Sequence, residues 1–274
     1  MKNKLLIYDD NCPLCSWYSA QFVKFHFLPK EGRKPFSTLE ENFLHLLDFN
    51  RSRNEIPLGD TETKTVQYGI AALLEILGSK IPFIKTLGHS KRIHWFLTRL
   101  YKFISYTRKV IVAKKCGPGV IDCSPDFNYF NRSLFMSFCL MVNAALLFLF
   151  HKVILLPLPY YHLSIVQLQS AQFGLILINC LPGLSLSKQK AFEYLGQLMM
   201  LTLITNLLLI PLVIINTIIV QTELLSSIYL LFTGLLIFKE YLGRMDFAGI
   251  IQNNKWIAGF NLAGITGFVL FLFS

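Results

Sequence analysis

Hydrophobic and polar positions follow two different rhythms along this chain. From residue 133 onward, charge almost disappears and the apolar runs lengthen. Positions 133–151 lie uncharged between Arg132 and Lys152, a stretch of 19 residues, close to the ~20 that a helix needs to cross the hydrocarbon. The same pattern predicts further spans at about 163–184, 194–222, 224–242 and 256–273. Between the first two, Pro157, Pro159, Tyr160, Tyr161 and His162 predict an interfacial turn. In the fourth, Lys239 and Glu240 are expected to reach the interface along their own stems. Pro211 predicts a kink in the third. The polar residues within spans (Gln167, Gln172, Asn179, Asn206, Asn216 and Asn261) are expected to hydrogen-bond between helices rather than to line a path. No acidic residue is central to any span, which argues against a proton-coupled pump.

Before residue 133 the apolar runs are short. Lys4-Leu5-Leu6-Ile7-Tyr8 predicts a buried strand that stops at Asp9-Asp10-Asn11, residues suited to a loop and a helix cap. Trp17, Tyr18, Phe22 and Phe25 then recur at helical spacing. Residues 1–133 hold 20 Lys/Arg and 12 Asp/Glu, against 6 and 4 in residues 134–274. Two solvents follow: a water-facing domain over 1–130 and an all-α transmembrane bundle of about five spans over 131–274. With 53% hydrophobic and 15% charged residues overall, a wholly soluble enzyme and a disordered chain are excluded.

Charge also sets an orientation. Lys188, Lys190, Lys239, Arg244 and Lys255 fall in the loops on the N-terminal domain's side (185–193 and 239–255), whereas the opposite loops carry only Lys152. The positive-inside rule then predicts an integral membrane protein of the inner or plasma membrane, with a cytoplasmic first domain and Ser274 outside. The start agrees, since four apolar residues after Met1-Lys2-Asn3-Lys4 are too few for a secretory signal. Between Glu75 and Asp122 there are ten Lys/Arg and no acid. Within that stretch, residues 90–104 predict a helix with a basic face and an aromatic-aliphatic one. It reads either as an interfacial helix on an anionic leaflet or as a core helix with a solvated side. Nucleic acid is not an expected partner.

The chemistry lies between strand and helix, in Cys12-Pro13-Leu14-Cys15. Strand, loop, Cys-x-x-Cys, helix is a thioredoxin-like order. A thiol at a helix N-terminus meets unpaired N–H groups and the positive end of the dipole, which favour the thiolate. Pro13 costs no hydrogen bond at the first helical position. Cys12 is the expected exposed nucleophile and Cys15, one turn in, the buried resolving thiol. Asp9 reads either as a base for a cysteine proton or as a cap of the loop. Asp10, a second carboxylate beside Cys12, is expected to raise its pKa. The competing reading is zinc held by Cys12, Cys15, Cys116 and Cys123, although six residues between the last two are wide for paired ligands. Cys116 and Cys123, around Gly117-Pro118-Gly119, read as structural or as a second redox pair. Cys139 and Cys180 stand alone within spans. No phosphate loop, dinucleotide fingerprint or Ser-His-Asp pattern occurs, so no cofactor and no metal is expected.

The stretch Tyr8-Asp9-Asp10-Asn11-Cys12-Pro13-Leu14-Cys15 resembles the Asp-x-x-Cys-x-x-Cys signature of the DCC family of thiol-disulfide oxidoreductases. Looser likenesses follow at Gly69-Ile70-Ala71-Ala72-Leu73-Leu74, similar to that family's Gly-x-x-Ala-Leu helix start, and at 100–108, similar to its Leu-Tyr…Asn-Arg helix with Thr107 in place of Asn. The resemblance covers about residues 4–127. It implies an α/β thioredoxin-like domain and a dithiol–disulfide cycle carried by Asp9, Cys12 and Cys15. The partner would be a disulfide-containing protein, reduced at the cytoplasmic face with electrons from an unidentified donor, or a small thiol substrate. Two other functions fit the sequence: a non-enzymatic membrane protein whose cysteine domain binds zinc or a partner, and a redox-sensing transporter.

Overall fold

The computed structural model describes residues 1, 3–113, 125–218 and 223–273, and the chain divides into two compact units, Met1–Asn131 and Arg132–Ser274.

The first unit is a small mixed sheet with helices. Strand β1 (Lys4–Tyr8) leads through helix α1 (Pro13–Lys24) into β2 (Arg33–Pro35), which pairs parallel to β1. Two single turns, α2 (Glu41–Leu44) and α3 (Phe49–Ser52), precede the antiparallel strands β3 (Pro57–Asp60) and β4 (Val66–Tyr68). The sheet order is β2-β1-β3-β4. β1 is apolar on both faces because both are covered. Leu6 packs with Leu28, Ile56, Leu58, Ala72 and Ile76, while Leu5 and Ile7 pack with Phe36 and Leu47 on the other side. The chain turns from β4 into α4 (Gly69–Gly78) at Gly69, whose φ of +62° suits a residue without Cβ. Helices α5 (Pro82–His89) and α6 (Lys91–Ile111) complete the unit.

α6 fixes the approach to β3. Its inward residues Tyr101, Ser105 and Arg108 recur at helical spacing and bind three backbone groups of the segment 53–56. The Tyr101 hydroxyl accepts the Ile56 N–H at 2.7 Å, the Ser105 hydroxyl donates to the Asn54 carbonyl, and Arg108 Nη2 donates to the Arg53 carbonyl at 2.8 Å. The aromatic ring of Tyr101 also packs on the Leu6 cluster, so one helix face supplies both apolar area and hydrogen bonds.

The second unit contains α7 (Tyr129–Phe150), prolonged by a π-helical turn His151–Leu155, then α8 (Ile165–Gly183), α9 (Lys188–Ile218), α10 (Glu223–Phe247), the single turn α11 (Ile250–Asn253) and α12 (Lys255–Leu272). Among the described residues, five helices are long and apolar enough to cross a membrane, as befits an integral membrane protein with the lipid bilayer as a partner. They expose apolar side chains all round, the reverse of a water-soluble bundle. Ser164 and Gln167 form a capping box that starts α8, so Gln167 is a cap rather than an interhelical link. Asn206 donates to Asn143 at 3.1 Å, Asn261 joins Tyr194 and Tyr241 at 2.8 and 3.2 Å, and Asn216 bridges Ser226 and the Val153 carbonyl. Asn179 instead bonds the Leu175 carbonyl of its own helix. The expected loop at 239–255 is largely helix: α10 runs on to Phe247 because Glu240 pairs with Arg244 one turn later, and Arg244 also donates to Gln197.

Candidate functional site

Burial of β1 on both faces carries the chain straight to the site. At its end Asp9 makes a tight turn, its Oδ1 accepting the Asn11 N–H at 2.9 Å and its carbonyl accepting the Cys12 N–H at 3.2 Å. Asp9 therefore shapes the loop but does not cap the helix. The cap is Cys12, whose sulfur accepts the Cys15 N–H at 3.3 Å, with Pro13 at the first helical position and no acidic residue in the first turn. The Cys15 thiol also donates to Cys12 Sγ, with the sulfurs 2.7 Å apart. A disulfide needs about 2.05 Å, so when an oxidant removes two electrons from the pair the sulfurs have only a small distance to close.

Two expectations change here. Cys12 is not the exposed thiol: both cysteines are only 3% exposed. As the cap, Cys12 folds its side chain back over the first turn of α1 and out of solvent. Asp10, the carboxylate expected to raise Cys12, is engaged elsewhere. Its carboxylate accepts the Ser37 hydroxyl at 2.9 Å, and the carboxylate that does oppose the thiolate is Asp9.

The two thiols are driven apart in acidity. Cys12 is lowered from 9.0 to about 6. The hydrogen bond from the Cys15 thiol contributes most. Burial opposes it, the Cys15 N–H and the Arg108 guanidinium add to it, and Asp9 works the other way. Cys15 is pushed far up by the same shared hydrogen bond and then by burial. This is the division of labour a dithiol needs, with one sulfur charged at neutral pH and the other holding the proton.

Arg108 is a further residue of this site, one to which the sequence pattern alone gives no role. It is 8% exposed. Burial alone would lower it, but the negative charges of the Cys12 thiolate and the Asp9 carboxylate hold the guanidinium protonated, and Cys15 and Tyr18 act in the same direction once they ionise. Tyr18 is raised well above its ordinary range by burial and by Cys15, and Tyr101 is pushed up by burial to about 12; both stay neutral around the pair. The sequence offered one signal for this group, the spacing of Tyr101, Ser105 and Arg108 on one helical face. It did not show that the face turns toward Cys12.

Asp9, Cys12 and Cys15 are all buried, and their potential ligand atoms lie within 4.8 Å of one another. Three such ligands are a partial zinc set, yet the Arg108 charge beside them works against a dication. Cys116 and Cys123 lie outside the described residues, and with them both the four-cysteine zinc site and the second redox pair. Cys139 and Cys180 are free thiols. Among the described residues no peptide bond is cis, Pro57 and Pro82 included. No protein-family model, no curated protein and no solved structure matches this chain.

Proposed function

We propose that the chain is a membrane-anchored thiol–disulfide oxidoreductase whose first unit is a thioredoxin-like domain of DCC type. The observation that carries this reading is the buried pair at the start of α1, with Cys12 lowered to about 6 beside a protonated Cys15. The strand order β2-β1-β3-β4, with the dithiol where β1 hands over to α1, supports the fold assignment.

In the reductive direction the Cys12 thiolate attacks one sulfur of a substrate disulfide. The substrate S–S bond breaks, one substrate sulfur leaves as a thiolate and takes a proton, and a mixed disulfide forms on Cys12. Cys15 then gives up its proton and attacks Cys12 Sγ. The second substrate sulfur leaves as a thiol, and the two electrons gained by the substrate leave a Cys12–Cys15 disulfide behind. An external dithiol restores the pair. Two observations support Asp9 as the acceptor of the Cys15 proton: a carboxylate oxygen of Asp9 lies within 4.8 Å of both sulfurs, and its Oδ2 is buried with no hydrogen-bond partner among the described residues. The positive-inside pattern of the loops supports a cytoplasmic first unit, where a reducing environment favours this direction.

The test is the pH profile of iodoacetamide alkylation at Cys12, read by mass spectrometry on the full chain with the other four cysteines outside the motif replaced by serine. Burial slows every point equally, so the midpoint reports ionisation. A midpoint near 6 supports the proposal, and the Cys15→Ser variant should then trap a mixed disulfide with oxidised glutathione. An ordinary midpoint near 8.5 with no trapped adduct rejects it.

A further inference from the structure

Helix α6 has an outer surface that the redox chemistry does not use. Tyr101, Ser105 and Arg108 turn inward, whereas Phe96, Leu100 and Ile104 form an outward stripe at four-residue spacing, 58%, 42% and 44% exposed. Arg92 and Arg99 run beside the stripe, and Lys102 lies farther round the helix beyond Arg99; all three are exposed. Trp95, also exposed, carries the Arg99 guanidinium 5.5 Å from its ring centroid. Single exposed apolar residues need no explanation, but a continuous aromatic-aliphatic stripe bordered by arginine and lysine is the pattern of a helix that lies in a membrane interface.

From this arrangement we infer that α6 is a lipid-docking helix. It lays the Phe96–Leu100–Ile104 stripe into the headgroup boundary of an anionic leaflet, while Arg92, Arg99 and Lys102 meet the lipid phosphates. Charge chooses this occupant, because the stretch between Glu75 and Asp122 holds ten Lys/Arg and no acid, nine of them besides the inward Arg108. Tethering favours it too. α6 ends at Ile111 and the first membrane helix begins at Tyr129, so the helix meets lipid as an intramolecular event and needs little intrinsic affinity. The inference is independent of the dithiol reading and stands or falls separately.

The experiment places the full chain in nanodiscs, which present lipid on both faces whatever the orientation. Trp17, Trp95 and Trp256 are replaced by phenylalanine, and Phe96→Trp supplies a single reporter on the stripe. Discs carry acyl-brominated phosphatidylcholine alone or mixed equally with phosphatidylglycerol. The expected result is roughly two-fold or greater quenching in the anionic discs, much less in the zwitterionic ones, and its loss with the Arg92→Glu, Arg99→Glu, Lys102→Glu triple variant. Emission that stays water-like and unquenched in both compositions overturns the inference. Equal quenching in both discs overturns the recognition of anionic lipid. Blue-shifted but unquenched emission, with concentration-dependent cross-linking, assigns the stripe to a protein partner and overturns it as well. Should the triple variant fail to fold, the comparison of the two lipid compositions still decides.

Discussion

Replacing Cys15 with alanine removes the donor that does most to hold Cys12 at about 6. The Cys15 N–H survives the change and Arg108 still pulls downward, but burial, the second-largest influence, now leads and Asp9 reinforces it, so Cys12 moves back toward 9.0. For a full return, the thiolate share at pH 7 falls from about 90% to about 1%, and only the thiolate reacts. Each remaining thiolate is more basic, and with a Brønsted slope of 0.4–0.5 it attacks a disulfide roughly 20-fold faster. The two effects leave the variant about three- to six-fold slower at pH 7 and about 20-fold faster at pH 10, with the profiles crossing at about pH 7.5–8. The assay is the stopped-flow release of a coloured thiolate from a small aromatic disulfide, with reduced full-length protein lacking the other four cysteines. The burial of Cys12 is common to both proteins and cancels in the ratio. Cys15→Ser keeps a hydroxyl donor and should stay nearer the parent. Two profiles with one common midpoint refute the reasoning, whatever their absolute rates.

Arg108→Gln should raise the Cys12 alkylation midpoint by less than Cys15→Ala does, since its charge contributes less, and Arg108→Lys should restore part of the difference. Arg108→Leu leaves the Arg53 carbonyl without its 2.8 Å donor, a loss of about 1–3 kcal/mol that thermal unfolding should register. The reduced chain should also lose stability relative to its disulfide form as pH falls from 9 to 6. Cys12 is depressed from 9.0 to about 6 on folding, so its contribution is complete above the unfolded value and disappears through the folded one. Cys15 is shifted the other way and erodes stability above about pH 9. The stability of the reduced form relative to the disulfide form should therefore peak near pH 9 and fall on either side, and a difference in thermal midpoint that does not change with pH would contradict the acidities of both thiols. Zinc released on thiol oxidation of protein purified from zinc-supplemented cells should stay far below one equivalent. A full equivalent, with alkylation blocked until a chelator is added, would move the case to a structural cysteine site.

What the sequence disclosed was governed by the range of the interaction concerned. β1 was legible because burial on both faces writes an unbroken apolar run, and the five long helices because lipid leaves no alternative to uncharged spans of that length. β2 and β3 were not. Arg33-Lys34-Pro35 and Pro57-Leu58-Gly59-Asp60 carry no alternation, and they are strands because β1 pairs with each of them. At the site, Cys12 and Cys15 were legible from a spacing of three within one turn. The burial of Cys12 was not, because it depends on which residue caps α1, a choice between Asp9, Asp10, Asn11 and Cys12 that local preference ranks wrongly. Arg108 lies 93 positions beyond Cys15 in sequence, and only the packing of α6 brings its charge to the thiols. The lengthening of α10 past Glu240 followed a similar logic, since a charged residue ends an apolar run in the sequence while a partner one turn away lets the helix continue.

The acidities of the two thiols also bear on the order of steps in the proposed cycle. A thiolate with 3% exposure survives only while donors surround it, and the leading donor is the Cys15 proton itself. The same hydrogen bond is the largest cause of the high value of Cys15. When Cys12 bonds to a substrate sulfur, its charge disappears and the shared hydrogen bond goes with it. Cys15 then loses the main reason for keeping its proton at the moment when it must become a nucleophile. Burial still resists ionisation, but Arg108 continues to favour the Cys15 thiolate, and in the proposed cycle the buried Asp9 carboxylate accepts the proton. Before attack, the arrangement stores charge on Cys12 and suppresses it on Cys15. After attack it reverses the preference without any group having to travel, so the resolving thiol is released by the chemistry of the first step.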